Sequence, residues 1–212
     1  MHHTVAGPAD ILWTIGHSNH PAETLFARLA QHGIEVVADV RSSPYSRYAS
    51  QFNRETLAPA LQHRAIQYVF LGDLLGGRVE DRSFYDDEGH VFYGQVAQSP
   101  GFLRGIERLL ALAAEFHVAI LCGEEDPTDC HRRLLVGRVL GERGLRIVHL
   151  RGDGRAQSES ELAAEENFRK TKGQRSLFDT EEPIPWKSTQ SVSPKKAPRS
   201  SSPTCDGPES GA

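Results

Sequence analysis

Residues 118–133 read V-A-I-L-C-G-E-E-D-P-T-D-C-H-R-R, an apolar run followed by ionisable and reactive side chains. The uninterrupted apolar run predicts a strand buried on both faces, as in a parallel sheet. Pro127, Thr128 and Asp129 are typical helix-start residues and predict a helix that continues through residue 140. Residues 122–132 would then form a strand-to-helix turn at the carboxyl end of a strand, where open α/β sheets bind ligands.

The rest of the chain repeats this alternation of strand and helix. Apolar runs predict strands at residues 11–15, 36–40, 66–71 and 145–150. Helical spacing and start signals predict helices that begin near residues 21, 53, 100 and 158, the last from a capping box of Ser158 and Glu161. Together these elements predict a Rossmann-like, three-layer α/β fold with a mostly parallel sheet of about five strands.

The domain organisation follows from length and composition. The 212 residues suffice for one domain and a tail. We predict an N-terminal extension at 1–10, one α/β domain at 11–170 and a C-terminal tail at 171–212. Residues 183–212 consist largely of Pro, Ser, Lys and Gly, a composition typical of disorder.

Bulk charge and cysteine content exclude several classes of protein. A formal net charge of -4 argues against a surface coated with basic residues for indiscriminate nucleic-acid binding. The three cysteines and the lack of an N-terminal apolar run indicate a reducing cytoplasm rather than a disulfide scaffold. No apolar run approaches the roughly 20 residues that span a bilayer, so no membrane partner is expected.

Polar side chains follow each predicted strand, and parallel strands deliver them to one edge of the sheet. We expect Glu124 to be the acid-base or electrostatic residue, because a carboxylate at the mouth of an apolar strand is partly desolvated. The alternative is that Glu124 only pairs with Arg132 or Arg41. Asp39 would share the acid-base work, and His17 and His131 would serve as auxiliary acids, bases or orienting groups.

The two cysteines of the reactive turn allow a different chemistry. Cys130 and His131 lie at the predicted helix start, where the helix dipole lowers the pKa of a thiol. Adjacent residues on a helix do not face each other, so the pair is not automatically a dyad, and a buried structural Cys130 is the alternative. Cys122 is assigned either to ligand binding or to core packing. Cys122, Cys130 and His131 give C-x7-C-H, which is not the spacing of common zinc sites, and no metal site is predicted.

Arginines and glycines in the strand-end loops indicate a phosphate-bearing ligand, because guanidinium groups bind phosphate in a bidentate manner. No ATP-binding or NAD-binding glycine motif is present, so the cofactor remains unidentified. The expected ligand-binding residues are Ser18, Arg41, Arg47, Gly76, Gly77, Cys122, Arg132 and Asp153.

Five segments carry a family resemblance. They are T-I-G-H-S-N at 14–19, D-V-R-S-S-P-Y-S-R at 39–47, L-G-D-L-L-G-G at 71–77, L-C-G-E-E-D-P-T-D-C-H-R at 121–132 and H-L-R-G-D-G at 149–154. In this order they resemble the motifs of the domain-of-unknown-function 488 family over roughly residues 11–155. The resemblance implies a Rossmann-like α/β domain and a shared pocket built from these motifs, without an established reaction.

A second resemblance lies after the predicted domain. Residues 174–178, Q-R-S-L-F, resemble the peptide by which bacterial DNA polymerases and repair proteins bind the sliding clamp, with arginine in place of leucine at the second position. Gln174, Leu177 and Phe178 would make the contacts, since adjacent large apolar residues can anchor a peptide in a hydrophobic pocket. The alternative is that Leu177 and Phe178 pack back onto the domain.

The leading hypothesis is an enzyme that acts on a nucleotide or nucleic-acid substrate, with hydrolase or N-glycosidase-like activity linked to DNA repair through the clamp. A non-catalytic module that senses a phosphorylated ligand and recruits a partner is the first alternative. Cysteine-based redox or phosphatase-like chemistry at Cys130 is the second.

Overall fold

A computed structural model describes residues 10–171 and 186–194. Its centre is a six-stranded sheet with the order β3-β2-β4-β1-β5-β6. The strands are Ile11–Gly16 (β1), Val36–Asp39 (β2), Gln67–Phe70 (β3), Val118–Cys122 (β4), Arg146–Leu150 (β5) and Ala156–Ser158 (β6). The first five strands are parallel, and β6 pairs antiparallel with β5. The predicted α/β class and mostly parallel sheet are confirmed.

The reactive stretch lies at the centre of this sheet. Strand β4 pairs with β1 on one side and with β2 on the other, with Ala119 opposite both Trp13 and Val37. All residues of β2 and β4 are buried, which explains why their sequences are apolar without alternation. Strand β4 enters the sheet between β1 and β2, and the chain then continues on the other side of β1 with β5. The carboxyl end of β4 therefore lies where the strand order reverses, the usual position of a ligand crevice.

Helices cover both faces of the sheet and complete the three layers. The α-helices are Ala22–Gln31 (α1), Arg54–Gln62 (α2), Gly72–Leu75 (α3), Tyr93–Val96 (α4), Pro100–Glu115 (α5), Arg138–Glu142 (α6) and Glu159–Thr171 (α7). Leu25, Leu29 and Leu57 belong to the apolar cluster on one face, with α1 and α2. Phe102 and Ile106 belong to the cluster on the other face, with α5.

The helix after the reactive turn starts later than expected and is not uniformly α-helical. A π-helical segment, Arg132–Gly137, precedes α6. The Asp126 carboxylate accepts the backbone N–H and the hydroxyl of Thr128, and Cys130 N donates to Pro127 O. These bonds hold the predicted start residues in a turn, so the helix begins after them.

The C-terminal part of the domain contains one expected and one unexpected feature. The predicted capping box is present, because the hydroxyl of Ser158 accepts from Glu161 N while the Glu161 carboxylate accepts from Ser158 N. The sixth strand was not predicted, since three residues with a single buried side chain give no detectable alternation.

The expected disorder of the tail does not extend to residues 186–194, which pack against the domain. The indole N–H of Trp186 donates to Leu134 O, and Arg138 stacks on the indole ring. Ser188 N donates to Val91 O, and the Ser188 hydroxyl accepts from Val91 N. Within the described part of the chain, no helix is both long and apolar enough to cross a bilayer.

Gly16 provides a test of the contact between the ends of β1 and β4. A Cβ atom at this position would lie 1.7 Å from Glu124 O. This oxygen belongs to the backbone, so it can move away only if the whole reactive turn moves with it. We expect Gly16→Ala to lower the free energy of unfolding by about 3 kcal/mol, measured by chemical denaturation.

Gly101→Ala is the matched control for this substitution. Its Cβ would meet only the flexible end of Arg104, at 3.9 Å, so Ala in this helix should leave stability unchanged or raise it slightly. Equal unfolding free energies for Gly16→Ala and the wild type would contradict the close contact.

Candidate functional site

The loops after β1, β2, β3 and β4 surround a polar cavity of about 520 Å³ at the carboxyl edge of the sheet. This volume is typical of a small-molecule site. The cavity is lined by His17, Arg41, Ser42, Ser43, Tyr45, Ser46, Gly77, Arg78, Tyr93, Cys122, Gly123, Glu124, Asp129, His131, Ser188, Gln190, Ser191 and Val192. A larger, mainly apolar cavity of about 760 Å³ lies between α6 and α7 and contains no predicted site residue.

Arg41 is held at the wall of the cavity by a dense network. Its Nε and Nη2 atoms donate to the two oxygens of the Asp39 carboxylate, at 2.9 and 2.6 Å, and Nη2 also donates to Phe52 O. Asp39 has no exposed surface and accepts a further bond from the Tyr68 hydroxyl at 2.6 Å. Asp39 therefore orients Arg41 and does not face the cavity with a free oxygen.

His17 completes the Arg41 network as a neutral ring. Because Arg41 Nη1 can only donate, Nε2 of His17 accepts at 3.0 Å, while Nδ1–H donates to Ser18 O at 2.7 Å. Burial lowers the pKa of His17, and the charge of Arg41 lowers it further. The ring also stacks on Phe52. This geometry makes His17 an orienting residue for Arg41.

Cys122, Cys130 and His131 form a compact cluster at the floor of the cavity. Their sulfur atoms and a ring nitrogen of His131 all lie within 4.8 Å of one another. Cys122 Sγ lies 3.6 Å from His131 Nδ1, and His131 Nε2 donates to Val40 O at 3.0 Å. The π-helical segment that follows begins directly after His131, so the strand end and the helix start converge here.

The two cysteines have opposite electrostatic surroundings. A hydrogen bond from Cys130 and the neighbouring His131 hold the pKa of Cys122 well below its ordinary value. Burial, followed by the interaction with Cys122, raises the pKa of Cys130 well above it. Burial lowers the pKa of His131, but the Cys122 sulfur and the Val40 carbonyl outweigh it and the net shift is upward. Cys122, rather than Cys130, is the cysteine that faces the cavity.

The acidic residues of the turn have separate positions. Glu124 lines the cavity and is exposed, so the partial burial expected from its place after an apolar strand is not found. Its side chain pairs with neither Arg132 nor Arg41. Glu125 lies outside the cavity, where it accepts from Gly152 N and pairs with Arg151.

Arg132 does not reach the cavity. It is completely buried, and its guanidinium donates to the backbone carbonyl oxygens of Glu124 and Glu125. Its Nε atom also lies 3.4 Å from Thr14 Oγ1. These bonds occupy the N–H groups that would bind a phosphate. Arg132 therefore stabilises the turn and does not bind a ligand.

Besides Arg132 and Gly76, three expected ligand-binding residues lie outside the cavity. Ser18 is exposed and adopts a φ of 45°, with its N–H donated to Gly123 O. Arg47 is exposed and stacks over the ring of Tyr48. Asp153 is exposed and caps its own turn through Arg155 N.

Gly76 and Gly77 act through close approach to neighbouring residues. A Cβ on Gly76 would lie 2.5 Å from Ser42 Oγ. A Cβ on Gly77 would lie 2.7 Å from Cγ and 2.9 Å from Nδ1 of His131. Gly77 therefore allows the β3 loop to pack directly against the His131 ring.

Several cavity residues were not predicted. Arg78 follows α3, Tyr93 is the first residue of α4, and Ser188, Gln190 and Ser191 come from the tail. Nothing in the tail composition indicates a wall of a site. Arg78 directly follows the Gly76-Gly77 motif, and this position is a sequence signal that predicts a place in the site. Gln174, Leu177 and Phe178 lie outside the described residues.

The fold and the cavity define an α/β protein with a polar pocket at the carboxyl edge of a parallel sheet. The family model described as "Domain of unknown function DUF488" matches residues 21–139, more than half of the chain, so the chain belongs to this family. A search of curated proteins and a search of solved structures each found no match.

The lowered pKa of His17 predicts a pH dependence of stability. A folded-state pKa below the ordinary value of 6.5 means that the unfolded chain binds the proton first, so stability is lost as pH falls below 6.5. We expect the wild-type unfolding free energy to drop by up to about 1.4 kcal/mol per pH unit from this residue, measured by denaturation between about pH 8 and 5.5.

His17→Gln should remove this contribution while keeping an acceptor for Arg41. Substitution of the exposed His63 by Gln serves as the control for the chemical change from His to Gln. If His17→Gln and the wild type lose stability in parallel, the neutral-ring assignment is wrong.

Proposed function

We propose that the chain is a hydrolytic enzyme that acts on a phosphate-bearing nucleotide or nucleic-acid substrate in the 520 Å³ cavity. The observation that carries the proposal is the convergence of Arg41, Arg78 and Glu124 with the Cys122–His131 pair on one cavity at the strand ends. Arginines that can bind an anion, beside a carboxylate and a cysteine–histidine pair, form an arrangement suited to hydrolysis.

Substrate binding is assigned to the cationic wall and the aromatic rim. Arg41 retains one Nη1 hydrogen beyond its bonds to Asp39, His17 and Phe52, and it is already oriented before a ligand arrives. Tyr45 lines the cavity and is 68% exposed, and Tyr48 in the same loop is 77% exposed beneath Arg47. Exposed aromatic and arginine side chains are typical stacking surfaces for nucleobases, which supports a nucleotide over a smaller phosphate ester.

The chemical step is assigned to Glu124 as general base toward water. Its exposed carboxylate borders the same cavity as Arg41 and Cys122. The free thiols of Cys122 and Cys130 support a reducing, cytoplasmic location for this chemistry.

Glu124→Gln tests the catalytic assignment. We expect kcat to fall by about 10²-fold to 10⁴-fold, because the amide cannot accept a proton. The assay follows release of phosphate and of free base from nucleoside phosphates and from oligonucleotides that contain damaged bases. Glu107→Gln, an exposed change on α5, should leave turnover unchanged.

The same assay separates the proposal from a ligand-sensing module. If the protein binds a nucleotide without turnover, it is a ligand sensor rather than an enzyme. In that case Glu124→Gln should change only the affinity for the nucleotide. The absence of both binding and turnover across the panel would overturn the proposal.

We also propose, from the sequence alone, that residues 174–178 bind a bacterial sliding clamp and link the enzyme to DNA repair. Removing both apolar side chains in Leu177→Ala/Phe178→Ala should weaken clamp binding by at least about 30-fold, since such anchors are worth about 2 kcal/mol or more. Calorimetric titration with purified clamp measures this. Arg175→Ala is the control, because arginine replaces the motif's leucine there; equal affinities for wild type and double variant would refute clamp binding.

A further inference from the structure

We propose that Cys122, Cys130 and His131 bind a zinc ion at the floor of the cavity. Their three potential ligand atoms come from the end of β4 and the start of the following helix and lie within 4.8 Å of one another. Two thiolates and one imidazole are a common zinc ligand set, and the dication would balance the two thiolate charges in this buried place.

The distances suit tetrahedral zinc. Ideal Zn–S and Zn–N bonds place a sulfur and a nitrogen ligand about 3.6 Å apart. Cys122 Sγ and His131 Nδ1 are separated by 3.6 Å. The other two separations are at most 4.8 Å. They therefore exceed the tetrahedral values, about 3.8 Å for sulfur to sulfur and about 3.6 Å for sulfur to nitrogen, by no more than about 1.2 Å.

The surroundings of His131 fix the ring for metal binding. A carbonyl oxygen can only accept, so the 3.0 Å contact with Val40 O places the hydrogen on Nε2. In the neutral ring, the Nδ1 lone pair then points toward the sulfur of Cys122. A backbone carbonyl on the non-ligating nitrogen is a usual outer partner of zinc-bound histidine. The close approach of Gly77 further confines the ring.

The site has a buried side and an open side. Cys130 has no exposed surface, whereas Cys122 and His131 line the cavity together with Glu124. Three protein ligands with the fourth position open to a cavity are characteristic of catalytic rather than structural zinc. The catalytic use of the ion, as a Lewis acid beside Glu124, rests on the proposed function; the binding of the ion does not.

Zinc content tests the site directly. The full-length protein, purified without chelator, should contain about one zinc ion per chain by elemental analysis and native mass spectrometry. Cys130→Ser should lose at least about 90% of this zinc, because a hydroxyl is a poor ligand beside thiolates. Cys205→Ser, which changes the cysteine outside the described residues, should keep it.

A second measurement is independent of whether Cys130→Ser folds. Chelator-treated wild-type protein is titrated with Co²⁺ alone, which should produce thiolate-to-cobalt absorption and the visible bands of tetrahedral cobalt, saturating near one equivalent. Zn²⁺ should displace the cobalt and abolish the bands. A protein that is zinc-free as purified and gives no cobalt–thiolate absorption would overturn the proposal.

The two proposals fail in different ways. Zinc bound at one equivalent, with no turnover on any nucleotide substrate, retains the metal site and removes the proposed activity. Turnover that persists unchanged after zinc is removed retains the activity and rejects zinc as part of it.

Discussion

The buried guanidinium of Arg132 holds the reactive turn in place, and the cavity depends on it. Arg132 has no exposed surface and meets carbonyl oxygens of Glu124 and Glu125 rather than a carboxylate. The desolvation of its charge is offset only while the turn keeps both carbonyls directed inward. Thr14 continues the network, since it lies 3.4 Å from Arg132 Nε and 2.8 Å from His149 Nδ1. Arg132 and Thr14 thereby join β1, the turn and β5.

The central strands could be predicted from sequence because burial on both faces leaves a clear signal. Continuous apolar runs identified β2 and β4, and the capping pair Ser158 and Glu161 identified the start of α7. The order of the strands could not be read in this way, since it depends on packing between distant segments. β6 was missed because pairing of three residues along an edge imposes almost no pattern on a sequence.

The site was harder to predict than the fold, because residues of the same type point in different directions and the sequence does not show which of them face the cavity. Arg41 and Arg132 are both arginines after strands, yet one borders the cavity and the other is enclosed by backbone carbonyls. Cys122, Cys130 and His131 come together through the turn at 123–129, so their linear spacing matches no common metal motif. The contribution of 188–192 was invisible for a simpler reason: tail composition does not show which residues return to the domain.

The return of the chain at Trp186 has a consequence for any shortened version of the protein. The indole is anchored at Leu134 O, and Ser188, Gln190 and Ser191 follow it into the wall of the cavity. A chain cut at the end of α7 would keep every strand of the sheet but would lose this wall. The complete polar cavity therefore requires the residues beyond α7 as well as the sheet and its helices.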